Sequence, residues 1–254
     1  MRINVFILYP LFWLLMGTTA FAQQSRFDEA NTLLEESQYR EAIVLYRSIA
    51  DDGYRSGALW LNLGVAYSQI DSLGVAKFYL LKAETYSETK ELAREGLEFV
   101  NNRFSRRSAV LPPLPWDRFF EYLANRFGLM MITLIAIFFL YIGIALIIGS
   151  WFRKDFRKLL KKTGTAVIGL SAVLFIFAII INYQQNRYGM GVMIERQASV
   201  FQQPSEESAV VSIAYEGYTM RVDFSESTGV ENWKYVRLEN GMFGWVNEHS
   251  LMIF

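Results

Sequence analysis

Cysteine is absent from all 254 residues. Its absence excludes disulfides, thiol redox chemistry, cysteine-ligated metals and a lipoprotein anchor. Histidine occurs once, as His249 near the C-terminus, with no second histidine and no evident acidic constellation beside it. It is assigned to surface structure. No phosphate-binding glycine loop, metal-ligand cluster or nucleophile motif occurs elsewhere. These absences predict a non-enzymatic protein without a cofactor. Proline is scarce, and three of the five prolines crowd into Leu111-Pro112-Pro113-Leu114-Pro115. Proline cannot propagate a helix, so this stretch reads as an extended spacer and a domain boundary.

Charge is missing from two long stretches, Gly128 to Gly149 and Gly164 to Tyr183. As helices these would reach roughly 33 and 30 Å, enough to cross a hydrocarbon core. Hydrophobic residues make up 52% of the chain, an excess concentrated in these stretches. Neither stretch holds an Asp, Glu, Lys, Arg or His for an ion or proton path, which argues against a transporter subunit. Ala145-x3-Gly149 and Thr165-x3-Gly169 have the small-residue spacing of helix contacts.

What lies between the stretches sets an expected orientation. Residues 150–163 hold Arg153, Lys154, Arg157, Lys158, Lys161 and Lys162 against the single acid Asp155. A basic loop between two spans is retained in the cytoplasm, which predicts that both flanking domains are periplasmic on a bacterial inner membrane. Phe152, Phe156, Leu159 and Leu160 fall at i, i+4, i+7 and i+8. That spacing predicts an amphipathic helix lying on the leaflet, with the six basic residues facing lipid head groups. The net charge of zero is a sum of opposed blocks: residues 23–102 carry 8 basic and 13 acidic side chains, and residues 188–254 carry 4 and 9. Two acidic domains argue against nucleic-acid binding.

The N-terminus reads as a secretory signal over residues 1–22: Arg2, an apolar stretch from Val5 to Met16, and Ala20-Phe21-Ala22 before Gln23. An uncleaved anchor would export the next domain equally. Beyond the proline spacer, Trp116, Phe119, Phe120 and Tyr122, mixed with Arg118 and Arg126, fit an interfacial helix within residues 105–127.

Residues 23–104 repeat at an offset of 34, aligning Ala30 with Gly64, Leu33 with Tyr67, Ala42 with Ala76 and Tyr46 with Leu80. That period belongs to tetratricopeptide repeats. The second unit, Trp60-x2-Leu63-Gly64-x2-Tyr67 with Ala76, Leu80 and Ala83, resembles the family pattern. Small residues at Gly64 and Ala76 let two helices approach while Trp60, Leu63, Tyr67 and Leu80 fill the space around them. Helices are expected near 25–36, 39–51, 56–69, 73–86 and 88–104, the last covering the open end. The resemblance implies an inner face of Phe27, Asn31, Leu34, Leu61, Val65, Ser68 and Gln69. Those side chains either form a groove for an apolar or helical partner segment or pack against the next element.

From residue 188 to 254 the helical period gives way to short alternating runs. Strands are expected near 198–201, 209–213, 218–224, 233–238 and 242–246. Glu216-Gly217-x4-Val222 and Trp233-Lys234-Tyr235-Val236-Arg237-Leu238-x2-Gly241-x2-Gly244-Trp245-Val246 resemble a bacterial SH3-type domain. Gly241 suits a tight turn and Gly244 a close backbone approach, while Val222, Val236, Leu238 and Val246 fit the barrel interior. Trp233, Tyr235 and Trp245 either line an aromatic groove for an extended peptide or a cell-wall fragment, or close the ends of the barrel.

The expected architecture is a multidomain membrane protein: an all-α helical repeat, a two-helix transmembrane hairpin over 128–149 and 164–183, and a small all-β SH3-like barrel. This order resembles BatE, the Bacteroides aerotolerance family. The resemblance implies a non-enzymatic membrane component that assembles with von Willebrand A-domain membrane proteins and influences stress or oxygen tolerance. A scaffold binding envelope proteins is the leading expectation. The alternative is a sensor whose SH3-like domain binds peptidoglycan.

Overall fold

The computed structural model describes residues 24–106 and 115–254, with the backbone alone over 115–127. The expected signal sequence and most of the proline spacer lie outside the described residues. By contact, the chain divides into two compact units. One joins the N-terminal helices to residues 190–222 and 226–254, and the other comprises residues 110–189 and 223–225.

In the first unit, α1 (residues 24–35), α2 (Tyr39–Asp51), α3 (Gly57–Gln69), α4 (Leu73–Glu84) and α5 (Lys90–Arg103) follow the expected spans closely. Ser56 caps α3, its hydroxyl accepting from the Leu59 N–H at 3.1 Å, which satisfies one of the donors a helix start leaves unpaired. Gly64 makes the close helix approach that the spacing implied, and Gly96 adds one that it did not. A Cβ on Gly64 would lie 2.6 Å from Leu80 Cγ, and one on Gly96 would lie 2.9 Å from Leu80 Cδ2. Leu80, buried in α4, therefore sits between two glycines of α3 and α5. Trp60 and Leu63 are buried as expected, and Tyr79 stacks on both Trp60 and Tyr67 at 5.8 and 5.5 Å.

The β segment forms a seven-stranded sheet among the described residues, in the order β3-β2-β6-β5-β4-β1-β7. Its strands are β1 (Tyr188–Met193), β2 (Gln197–Phe201), β3 (Val210–Tyr215), β4 (Thr219–Asp223), β5 (Trp233–Leu238), β6 (Phe243–Asn247) and β7 (Leu251–Ile253). The ladders β1–β7, β2–β3, β2–β6 and β5–β6 are antiparallel. Five strands match expectation, and β1 and β7 are additions to it. Val222, Val236, Leu238 and Val246 are buried, in one core with Met193, Val200 and Ala214. Gly241 turns the β5–β6 hairpin at φ +86°, a conformation that costs glycine nothing. At Gly244 a Cβ would stand 2.6 Å from Val200 Cγ1 and 2.7 Å from the Phe201 carbonyl.

The second unit is built on α6 (Pro115–Phe152) and α7 (Arg157–Arg187). Gly128, at φ 69° and ψ 155°, breaks α6 and starts a segment of 25 residues to Phe152 that is long and apolar enough to cross a membrane. The 31 residues of α7 meet the same test. Met130, Phe138 and Ile179 are 77, 62 and 65% exposed. A core helix of a soluble protein would hide such side chains, whereas lipid accepts them.

The helix contact differs from the expected one. A Cβ on Gly149 or Gly169 would meet nothing within 4 Å, so neither small-residue pair makes the contact. Instead, Gly143 and Gly164 meet, each Cβ position lying 3.0 Å from the other's carbonyl oxygen, and Ser171 donates to the Ala136 carbonyl at 2.7 Å. The leaflet helix expected across 152–162 is also interrupted. Residues 153–156 are non-helical, and Arg157 to Lys162 belong to the start of α7. A four-residue connection is too short for a separate helix between two antiparallel spans.

Candidate functional site

On the sheet, β5 and β6 pair Trp233 with Asn247, Tyr235 with Trp245 and Arg237 with Phe243. β2 adds Phe201 opposite Trp245. Directly paired residues share a face, so these side chains lie opposite the buried Val236, Leu238 and Val246. The rings meet in two groups: Phe201 with Trp233 at 5.5 Å, and Tyr235 with Trp245 at 5.2 Å and with Phe243 at 6.2 Å. Arg237 lies 5.3 Å from the Phe243 ring centre. All three aromatics expected here are brought together and are part-exposed. Phe201 and Phe243 extend the patch. Their place follows from strand pairing, which no local spacing records, so sequence alone does not single them out.

The helical candidates are more dispersed in role. The Asn31 amide oxygen accepts from the Tyr46 hydroxyl at 2.7 Å and from Asn62 Nδ2 at 2.9 Å, an internal network that no sequence spacing announces. Burial raises the Tyr46 hydroxyl to about 12, so it remains a donor. Phe27 packs edge-on against Tyr46 at 5.7 Å, and Leu34 and Leu61 are partly buried against the helical core. Val65 is half-buried and Gln69 exposed. Ser68 is buried, its hydroxyl donating to the Val65 carbonyl at 2.7 Å.

A seam joins α4 to the sheet. The Gly74 N–H donates to Glu216 Oε1 at 2.7 Å, and Lys77 Nζ donates to the Gly217 carbonyl at 2.7 Å. Phe78 meets Phe254 edge-on at 5.3 Å, Arg106 lies 4.4 Å from the Tyr215 ring centre, and Val192 of β1 belongs to the helical core. Burial lowers the Lys77 ammonium and raises the Glu239 carboxyl, each opposed by the other's charge. Thr219 donates to Glu239.

No family model matches the chain, and no curated protein is significantly similar to it. No group of three or more His, Asp or Glu residues capable of holding a metal is found among the described residues. Arg153, Lys154, Arg157, Lys158, Lys161 and Lys162 are all exposed at the junction of α6 and α7. His249, also exposed, lies in a short 3-10 turn capped by Asn247.

Proposed function

We propose that this chain is a non-enzymatic membrane scaffold whose exported part, a tetratricopeptide-like helical repeat joined to an SH3-type β domain, binds envelope proteins. The carrying observation is the aromatic patch of Tyr235, Trp245, Phe243, Trp233 and Phe201 on one face of the sheet. Aromatic side chains bring large contact area and are enriched at binding hot spots. The helical-repeat reading is supported by the glycine-mediated packing around Leu80. The SH3-type reading is supported by the buried valines of β4, β5 and β6 and by the close approach at Gly244.

The expected topology draws on the same architecture. The segments before α6 and after α7 belong to one compact unit, so a hairpin that spans a membrane must deliver both to the same side. The basic junction at the other end supports a reading in which that side is the periplasm of a bacterial inner membrane. The resemblance to BatE then suggests von Willebrand A-domain membrane proteins as partners and stress or oxygen tolerance as the setting. Capture of such a protein by the full chain, abolished by Trp245→Ala without loss of folding, tests the reading.

A second reading, peptidoglycan binding by the same patch, is favoured by its flat rings, which suit stacking against sugars. Co-sedimentation of the full chain with purified peptidoglycan separates the two.

A further inference from the structure

The junction of α6 and α7 carries an arrangement that works against helix stability. Arg157 with Lys161, and Lys158 with Lys162, form two like-charge pairs at i, i+4 spacing in the first turns of α7. Such pairs destabilise a helix. They also stand at its N-terminal end, where the helix dipole favours anions and disfavours cations. Arg153 and Lys154 add two more positive charges in the connection, and Asp155 can offset only one. None of the six cations makes an ion pair with a described residue. Arg187, at the other end of α7, shows the contrast: it pairs with Asp223 at 2.8 Å and sits where the dipole favours a cation.

Apolar side chains stand at the same level. Trp151 and Phe152, closing α6, are 65 and 81% exposed, and Phe156 is exposed in the connection. A small soluble anion would answer the charge but leave these rings in water. A lipid surface answers both, because aromatic rings settle at the head-group level and basic residues reach the phosphates.

We propose that the α6–α7 junction is a binding site for the phosphate head groups of anionic phospholipids. Arg157, Lys158, Lys161 and Lys162 supply the anion contacts, and Trp151 and Phe152 seat in the interface. The inference goes beyond partner binding and rests only on the membrane-spanning part of the reading above. The electrostatic conflict at the start of α7 is then relieved by the bilayer itself.

The test uses the purified full chain in neutral detergent, titrated with phosphatidylglycerol or with phosphatidylcholine of the same acyl chains. Phosphatidylglycerol should bind roughly tenfold tighter or more, and the preference should shrink as salt is raised. Neutralising Arg157, Lys158, Lys161 and Lys162 together to Gln should abolish the preference, whereas Arg187→Gln should leave it intact. Equal binding of the two lipids, or a preference that survives the fourfold substitution, overturns the proposal. Competition by inorganic phosphate at concentrations matching the lipid would assign the site to a free anion instead and overturn it as well. Equal binding of the two lipids by the native chain while both helices stay shielded from aqueous labelling removes the lipid site and leaves the membrane reading standing.

Discussion

Gly74 and Glu216 lie 142 positions apart, with both apolar helices between them, and their backbone N–H and side-chain Oε1 meet at 2.7 Å. The contact leaves no room for a side chain at Gly74. A Cβ there would stand 2.6 Å from the Met193 carbonyl and 2.9 Å from Ile194 Cα, both backbone atoms. The helical and β segments, expected as separate domains, fall by contact in one compact unit.

Gly74→Val should therefore destabilise the whole unit. Overpacking against backbone costs about 1–3 kcal/mol, and the loss should appear as one lowered melting transition of the full chain. A second transition that leaves the helical part unchanged would show that the seam contributes little.

Gly64→Leu tests the helical packing. Its added atoms meet Leu80, whose own backbone N lies 3.2 Å from the Cβ position, so the side chain cannot simply swing away. A loss of about 1–3 kcal/mol is expected, a large share of typical domain stability. Gly169→Ala in α7, where nothing lies within 4 Å, should cost little by comparison.

The seam also gives a pH dependence. Burial raises the Glu239 carboxyl above its ordinary 4.5, with Lys77 pulling it partly back. The folded chain then holds this proton more tightly than the unfolded chain does, so stability falls as pH rises through the window above 4.5. Lys77 is lowered from 10.5 by burial, with Glu239 opposing. For it the unfolded chain holds the proton more tightly, and stability rises with pH through the window below 10.5. Melting temperature followed against pH should show this fall as pH rises above 4.5 in the native chain and a flatter profile through the same window in Glu239→Gln.

The aromatic patch makes a separable prediction. Trp245→Ala or Tyr235→Ala should weaken capture of a protein partner by about 2 kcal/mol, roughly thirtyfold, if the rings anchor it. Melting of the full chain distinguishes this from loss of fold. Unchanged capture in both variants would remove the patch from the account and turn attention to the exposed helical surface.

The readability of this chain follows the range of its interactions. The five N-terminal helices were legible because the 34-residue offset and the apolar spacing are local, and the spans because charge is absent over their whole length. β1 was not, since Tyr188-Gly189-Met190-Gly191 lacks β-branched residues and follows α7 directly. β7 is only 3 residues long. The seam was hidden for another reason: Gly74, Lys77, Glu216 and Gly217 are ordinary surface types, and nothing near any of them in sequence reports a contact across more than 130 positions. Of the aromatic patch, Trp233, Tyr235 and Trp245 could be read from the motif, while Phe201 and Phe243 needed the strand register.

Because the chain has no cysteine, single-cysteine variants can report its topology directly. Gln69, Glu207 and Lys158 are all exposed, the first two in the unit that joins the helices to the sheet and the third at the α6–α7 junction. A membrane-impermeant maleimide applied to cells with a permeable outer membrane should label Gln69→Cys and Glu207→Cys alike, and Lys158→Cys only after the inner membrane is opened. Labelling of Gln69→Cys and Glu207→Cys on opposite sides, or of Lys158→Cys from outside, would contradict the account.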